Sequence, residues 1–275
     1  MRPVQRIRLA SVSYLNALPL TWGLLRGRQR DHADVTLAPP HECARLLAEG
    51  LVDLALIPSI EFARIAGLAP VPGTGVCSRR EVRSVLLIAR REPAAIRSLA
   101  VDANSRTSVA LSQVVLHHRY RCRPSVDVMP PDLPAMMETH DAALLIGDAA
   151  LRASLEIDRR PDLHVLDLAR EWNEMTGLPF VFAFWACRPV VEVTLEKEIL
   201  RQSLEEGIAH LETIATEESA RTGLTPALIA SYLRHNIQYR MGPAESDSLR
   251  VFYRMCREEG LLSDCAQAAP AAPRP

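Results

Sequence analysis

The feature that most constrains the fold of this chain is a strand–helix–strand pattern that occurs twice. The first series contains the strand-like RIRLASV, the helical ALPLTWGLL, VTLAP, the helical PPHECARLLAEG, and VDLALIPS at 52–59. The second series begins at SLAVDAN, passes through the helical TSVALSQVVLHHRY, and reaches the strand-like DAALLIG at 141–147. Strands that alternate with helices in this way predict an α/β fold with parallel pairing.

The pattern changes after LPFVFAFWACRP, and residues 192–262 read almost entirely as helix. Two stripes of apolar side chains recur there at helical spacing, which is typical of core packing. Their members are Leu228, Ile229, Tyr232 and Leu233, and Leu249, Phe252, Tyr253 and Cys256. The Pro/Ala-rich end at 266–275 has no periodicity, so we predict a disordered tail there.

Charge, hydropathy and motifs exclude several classes of function. The chain has 32 basic and 33 acidic residues, so no overall field attracts nucleic acid or an anionic membrane surface. Its apolar runs are far shorter than the roughly 20 residues of a membrane span, and polar groups interrupt the N-terminus before an export signal forms. The sequence contains no CxxC, P-loop, GxGxxG, GxSxG or HExxH motif. We therefore expect a cytoplasmic protein with reduced cysteines, no metal and no cofactor.

Polar residues follow four of the predicted strands, in the segments 11–16, 57–61, 102–108 and 146–150. In open α/β sheets, ligands bind beyond the carboxyl ends of the strands, and in two-lobed proteins they bind in the cleft. We therefore predict that these segments surround a ligand. The candidate ligand-binding residues are Ser13, Tyr14, Ser59, Ser105, Arg106, Thr107, Ser108, Gly147 and Asp148.

The hydroxyl groups within 105–108 lie at the start of a predicted helix. The first N–H groups of a helix lack internal partners and bind carboxylate or phosphate well. The alternative is that these hydroxyls only cap the helix, and the same alternative holds for Ser59 and Asp148. Arg106 could pair with a carboxylate through two hydrogen bonds, or it could be solvated. From the residues alone, the prediction is a two-lobed α/β protein that holds a small, anionic ligand.

Six segments, in their order along about residues 6–190, resemble the chorismate dehydratase family of the futalosine route to menaquinone. They are SVSYLNALPL, VDLALIPSIEFAR, VRSVLLIAR, SLAVDANSRTSVAL, DAALLIGDAAL and EWNEMTGLPFVFAFWA. The resemblance implies a fold like that of the type II periplasmic binding proteins, with two lobes joined by hinge strands. The implied lobes are 1–88 plus 187–275, and 89–186, with RSVLLIARR and FVFAFWACR as the hinge strands.

The resemblance also implies a reaction, the loss of water from chorismate to give 3-[(1-carboxyvinyl)oxy]benzoate. It points to Asn16 of SYLN and Ser84 of RSVLL as the residues of the reacting region. Because neither side chain is a strong base, our hypothesis is that the enolpyruvyl carboxylate of the substrate removes the C3 proton.

Three alternatives share the fold. The sister enzyme 1,4-dihydroxy-6-naphthoate synthase opens with a segment like Ser-Pro-Cys-Pro-Asn-Asp, whereas this chain has SYLN, which favours the dehydratase. A non-catalytic small-anion-binding protein of a transporter is expected to carry an export signal. A ligand-sensing domain of a transcription regulator is expected to follow a helix-turn-helix, but here the first strand is predicted from about residue 6.

Overall fold

The computed structural model describes residues 6–102, 104–157, 160–189 and 193–271. The strands are β1 Ile7–Val12, β2 Ala33–Ala38, β3 Leu54–Pro58, β4 Ala69–Ser78, β5 Val85–Ala89, β6 Ser98–Asp102, β7 Ser125–Met129, β8 Ala142–Ile146, β9 His164–Asp167, β10 Phe180–Cys187 and β11 Gln238–Arg240. The helices are α1 Leu18–Leu25, α2 Pro40–Ala48, α3 Ser59–Arg64, α4 Arg106–Tyr120, α5 Leu133–Thr139, α6 Gly147–Ile157, α7 Leu168–Thr176, α8 Val193–Ala209, α9 Leu211–Thr222, α10 Pro226–His235 and α11 Pro243–Glu258. Two short 3₁₀ turns lie at Leu15–Ala17 and Pro93–Ala95.

The strands form two sheets, one in the order β11-β4-β10-β3-β1-β2 and the other in the order β7-β6-β8-β5-β9. In the first sheet β1 pairs parallel with β2 and β3, and β10 runs antiparallel between β3 and β4. In the second, β6 pairs parallel with β7 and β8, and β5 runs antiparallel between β8 and β9. The predicted two-lobed α/β fold is therefore confirmed.

The chain passes from the first sheet to the second between β4 and β5, and it returns through α7 before β10. All of β5 pairs within the second sheet, and all of β10 pairs within the first. The lobe boundaries, 1–88 plus 187–275 and 89–186, remain a proposal. These pairings favour lobe boundaries that do not cut β5 or β10 and lie instead within 79–84 and 168–179.

Several strands are buried on both faces, because helices cover each sheet. Every residue of β3, β5, β8 and β10 is buried. This burial explains the continuous apolar runs, since a strand with two covered faces has no polar side. None of the helices in the described ranges combines the length and hydropathy that a bilayer span requires.

The disordered tail at 266–275 stays a prediction, but hydrogen bonds attach part of this segment to α3 and the loop after it. Gln267 donates from its backbone N–H to a carbonyl in α3 at 2.8 Å and from its side chain to Leu68 O at 2.9 Å. Its side-chain oxygen also accepts from Gly67 N at 3.1 Å. Composition predicted disorder, but one amide side chain fastens the segment to the loop after α3. The last four residues lie outside the described ranges.

Candidate active site

A cleft of about 550 Å³, including the part open to solvent, is lined by strand ends of both sheets. Val12, Pro58 and Phe182 contribute from the first sheet, and Val85 and Ile146 contribute from the second.

Most of the predicted site residues meet in this cleft. Those that line it are Tyr14, Asn16, Ser84, Ser105, Arg106, Thr107, Ser108 and Gly147. Asn104 lines it as well and was not predicted. Its backbone and side-chain amides both donate to Asp102 Oδ1, at 2.9 and 2.8 Å, which fixes the orientation of the side chain. Asn104 could have been predicted as a site residue from its position in the polar run before α4.

Three predicted residues lie outside the cleft lining. The half-buried Ser13 donates its backbone N–H to Ala38 O at 3.1 Å. Asp148 accepts from Leu15 N at 3.2 Å and pairs with Arg221 at 2.9 Å. The Asp148 carboxylate thus fastens the 3₁₀ turn that carries Asn16, and its geometry favours a supporting role over direct ligand binding.

Ser59 is the third of these residues, and its hydroxyl donates to Val181 O at 2.8 Å. The starts of α3 and α4 are in contact, because Ile60 N in α3 donates to Thr107 Oγ1 in α4 at 3.3 Å. Ser59 Oγ lies 3.5 Å from the same Thr107 oxygen. The two helix starts therefore touch directly through Thr107, and Ser59 supports the cleft from behind.

The start of α4 is the part of the cleft best suited to an anion. Ser105 occupies the N-cap position, yet its hydroxyl caps no helical N–H. That hydroxyl is buried and has no hydrogen-bond partner within the described part of the chain. Arg106 is exposed beside it, and no described carboxylate pairs with its guanidinium. Unused N–H groups, a free hydroxyl and a free guanidinium together form a receptor for a carboxylate.

Tyr14 packs against Gly147, the first residue of α6. Gly147 has φ +58°, and a Cβ atom there would lie 3.1 Å from a ring carbon of Tyr14. Burial, assisted by the charges of Asp102 and Asp148, raises the pKa of Tyr14 to about 12. The Tyr14 phenol is therefore protonated near neutral pH, and it can donate a hydrogen bond but cannot act as a base.

We expect Gly147→Ala to lower the free energy of unfolding by about 2–4 kcal/mol, from left-handed backbone strain plus the clash with Tyr14. Gly177→Ala is the matched control, since Gly177 has φ +73° with no atom within 4 Å of the added methyl group. Strain alone should cost the control about 1–2 kcal/mol. Urea denaturation of both variants measures the difference, and equal losses would show that the Tyr14 ring yields without cost.

Asp167 fixes the backbone that leads into Ser84, in the connection between β4 and β5. Asp167 accepts from Val82 N at 3.1 Å and from Arg83 N at 2.6 Å. The same carboxylate caps α7 through two further backbone N–H groups, at 3.1 and 3.2 Å. Arg83 has φ +59°, an uncommon conformation for a residue with a side chain, and the bonds to Asp167 hold it. Burial raises the pKa of Asp167, and its four N–H donors oppose that effect.

Tyr232 of α10 holds the side chain of Ser84, and the sequence did not mark it as a site residue. Its hydroxyl donates to Ser84 Oγ at 2.7 Å, and the side chain of Asn16 is near enough to oppose the rise in the pKa of the phenol. Tyr232 is 1% exposed, and burial raises its pKa, so the phenol is neutral. Its position in an apolar stripe indicated core packing, which is also true. Only the fold shows that its hydroxyl reaches both predicted catalytic residues.

Hydrogen-bond donors dominate the polar part of the cleft. Among the described residues that line it there is no Asp, Glu, His or Lys. Amides, hydroxyls and one guanidinium can bind carboxylates and orient a leaving hydroxyl, but none of them removes a carbon-bound proton at neutral pH. An elimination in this cleft therefore needs a base that comes with the substrate.

The chain is similar to two chorismate dehydratases. It is 30% identical to that of Thermus thermophilus over 256 residues, which cover 87% of this chain and 91% of the relative. It is 27% identical to that of Campylobacter jejuni over 252 residues, which cover 90% of this chain and 96% of the relative.

Solved structures show the same fold. A crystal structure of a protein from Archaeoglobus fulgidus superposes with a TM-score of 0.74 at 19% identity, covering 94% of this chain and 98% of that one. The periplasmic aliphatic sulphonate-binding protein of Escherichia coli superposes with a TM-score of 0.66 at 16% identity, covering 98% and 94%. At these identities the likeness concerns the fold alone. A family model described as menaquinone biosynthesis matches residues 7–258, and the chain therefore belongs to that menaquinone biosynthesis family.

Proposed function

We propose that this protein is a chorismate dehydratase, which eliminates water from chorismate to give 3-[(1-carboxyvinyl)oxy]benzoate. The similarity to two enzymes of that name supports the proposal. The observation that carries the mechanism is the composition of the cleft, which offers donors and one arginine but, among its described residues, no carboxylate, imidazole or lysine amine that could remove a proton. A substrate with two carboxylates suits such a cleft, and chorismate also brings its own base.

The reaction removes the C4 hydroxyl and the C3 proton, and the ring becomes aromatic. The driving force is therefore in the substrate, and the protein has to orient it and exclude water. The enolpyruvyl group is attached at C3, so its carboxylate can fold back onto the C3–H bond. That carboxylate takes the proton, and the electrons of the C3–H bond form the new ring double bond as the C4–O bond breaks. The departing hydroxide then takes the same proton from the carboxylic acid and leaves as water.

The start of α4 binds one substrate carboxylate in this proposal. The Ser105 hydroxyl, the unused N–H groups of the first turn and Arg106 are its ligands. Anchoring this carboxylate orients the ring toward Asn16 and Ser84 on the same cleft.

Asn16 and Ser84 orient the groups that react. Because Tyr232 donates its single hydroxyl hydrogen to Ser84 Oγ, the hydrogen of Ser84 is free for the cleft. Ser84 can then donate to the leaving hydroxyl while Asn16 holds the enolpyruvyl group. Tyr232 is the positioning residue of this pair.

Incubation of the purified protein with chorismate, followed by chromatography of the products, tests the proposal. We expect an aromatic product with the mass of chorismate minus water. Tight binding of chorismate without turnover would instead indicate a non-catalytic anion-binding protein of the same fold. If chorismate neither bound nor reacted, the sister synthase would be the better assignment. We also propose that the protein acts in the cytoplasm on this small molecule, without nucleic acid as a partner.

Arg106→Gln tests the carboxylate receptor. We expect KM for chorismate to rise about tenfold while kcat changes little, because the lost ion pair binds ground state and transition state alike. Arg30→Gln is the control, since Arg30 is an exposed arginine whose ion-pair partner is the neighbouring Asp31, 4.0 Å away. Steady-state kinetics at two salt concentrations measures both variants. An unchanged KM in Arg106→Gln would remove the arginine from the proposed receptor.

A further inference from the structure

A cluster of possible metal ligands lies far along α4 from the cleft. His117 and His118 lie in the last turn of α4, and Glu259 directly follows α11. His117 Nδ1 lies 2.5 Å from Glu259 Oε1, and His118 Nε2 lies 3.1 Å from the same oxygen. The three ligand atoms are all within 4.8 Å of one another. Two imidazole nitrogens and a carboxylate oxygen thus converge on one point.

One of these nitrogens lacks a hydrogen bond within the described part of the chain. His118 Nε2 is buried and forms no hydrogen bond with any described residue, although Glu259 Oε1 is close. A buried polar atom without a hydrogen bond costs about 1–3 kcal/mol, so such an atom marks a place where a partner is missing. An imidazole nitrogen that faces a second imidazole and a carboxylate fits a cation better than it fits a water molecule.

Arg123 is the cation nearest to the cluster, and its position is compatible with a metal ion. It forms an ion pair with Glu259 Oε2 at 3.0 Å, and Oε1 is the oxygen that the histidines contact. Its terminal nitrogen is 3.1 Å from both ring nitrogens of His117. At these distances it lies above the ring, because a position in the ring plane would collide with Cε1. His117 Nδ1 and Glu259 Oε1 share a hydrogen bond, which a bound metal ion would replace, and Arg123 would hold the carboxylate from outside, as partners of metal-bound carboxylates do.

The surroundings favour positive charge in a second way. The last turn of a helix carries partial negative charge, and both histidines belong to the last turn of α4. Glu259 is 6% exposed at its side chain, so its charge is poorly screened by solvent. Two imidazoles and one carboxylate are a donor set that divalent transition metals such as Zn²⁺ accept, with water as the fourth ligand.

We propose that His117, His118 and Glu259 bind one divalent transition-metal ion of the zinc class, which joins α4 to the end of α11. The first helix follows a strand of the second sheet, and the other follows a strand of the first sheet. The ion therefore fixes α4, whose first turn lines the cleft, to the opposite lobe. Spacing along the chain gave no sign of this site, because the carboxylate lies 142 residues after His117.

Titration calorimetry of the metal-free, full-length protein with Zn²⁺ tests the site. Because Cys265 is an exposed thiol, all titrations use a Cys265→Ser background. We expect one equivalent to bind, a higher melting temperature with Zn²⁺, and, for Co²⁺, the visible absorption of a tetrahedral complex. His118→Gln and His117→Gln should each weaken binding at least tenfold and abolish the Co²⁺ spectrum.

His140→Gln is the matched control, since His140 pairs with Asp127 at 3.2 Å on another part of the surface. It should bind Zn²⁺ like the parent. Melting of each variant without metal shows that it is folded, and if one histidine variant fails to fold, the other still decides. Equal affinity in the parent and in a folded histidine variant, or absence of binding in the parent, would overturn the proposal.

Discussion

Asn16→Ala should lower kcat for chorismate by about 10²–10³-fold, with a much smaller change in KM. The size of the loss follows from positioning, because the enolpyruvyl carboxylate has to reach the C3–H bond and a misplacement of about 1 Å can cost roughly 10²-fold. Asn16 lies in the cleft on the 3₁₀ turn that is bound to Asp148, so its backbone is held before the substrate arrives. Single-turnover measurements with saturating chorismate isolate this effect from product release.

Two carboxylate variants are the controls for this experiment. Asp148→Asn and Glu61→Gln change two carboxylates that belong to the predicted site segments. Asp148 is bound to Arg221, and Glu61 is bound to Arg64. Both variants should retain most of the activity. If Asn16→Ala stayed near the parental rate while either carboxylate variant was inactive, an enzyme carboxylate would be the base, and our mechanism would be wrong.

Tyr232→Phe should lower kcat about tenfold, which corresponds to the loss of one hydrogen bond of about 1.4 kcal/mol in the transition state. The phenylalanine ring fills the same space, but Ser84 Oγ loses its donor at 2.7 Å, and its hydroxyl is then free to rotate. We expect KM to change less than kcat, since the ring itself does not line the cleft.

A double variant tests whether the hydroxyl of Tyr232 acts on kcat through Ser84. In a Ser84→Ala background, Tyr232→Phe should have almost no further effect on kcat, because the two residues act as one unit. Tyr239→Phe is the matched control, a buried tyrosine whose hydroxyl has no hydrogen-bond partner among the described residues. It should keep the parental kcat. Additive losses in the double variant would mean that the Tyr232 hydroxyl acts independently of Ser84.

The sequence predicted those parts of the fold that depend on local pattern. The alternation of strand-like and helical segments indicated an α/β fold, and helices cover strands such as β3 and β10 on both faces, which are fully buried. The polar residues after β1 and β6 indicated a ligand edge, and most of them line one cleft. Strand ends of one sheet gather at the same edge, so position along the chain was enough to find them.

Residues that act across the fold could not be predicted in this way. Tyr232 has the spacing of a core residue, and its hydroxyl bond to Ser84 spans 148 positions. The tail was judged by composition, but Gln267 reaches back 200 positions to Gly67. In each case one polar atom decides the role, and hydrophobic periodicity carries no information about it.

Asp167 has a mechanical consequence for any movement of the two lobes. Its carboxylate joins the outgoing passage at Val82 and Arg83 to the first turn of α7 on the returning passage. The two connections are thereby fastened at one point, so the lobes must turn about a common pivot and cannot slide independently. Ser84 follows Arg83 directly, and an atom next to a pivot moves least. The rest of the cleft can tighten around a substrate while the hydroxyl of Ser84 stays where Tyr232 holds it.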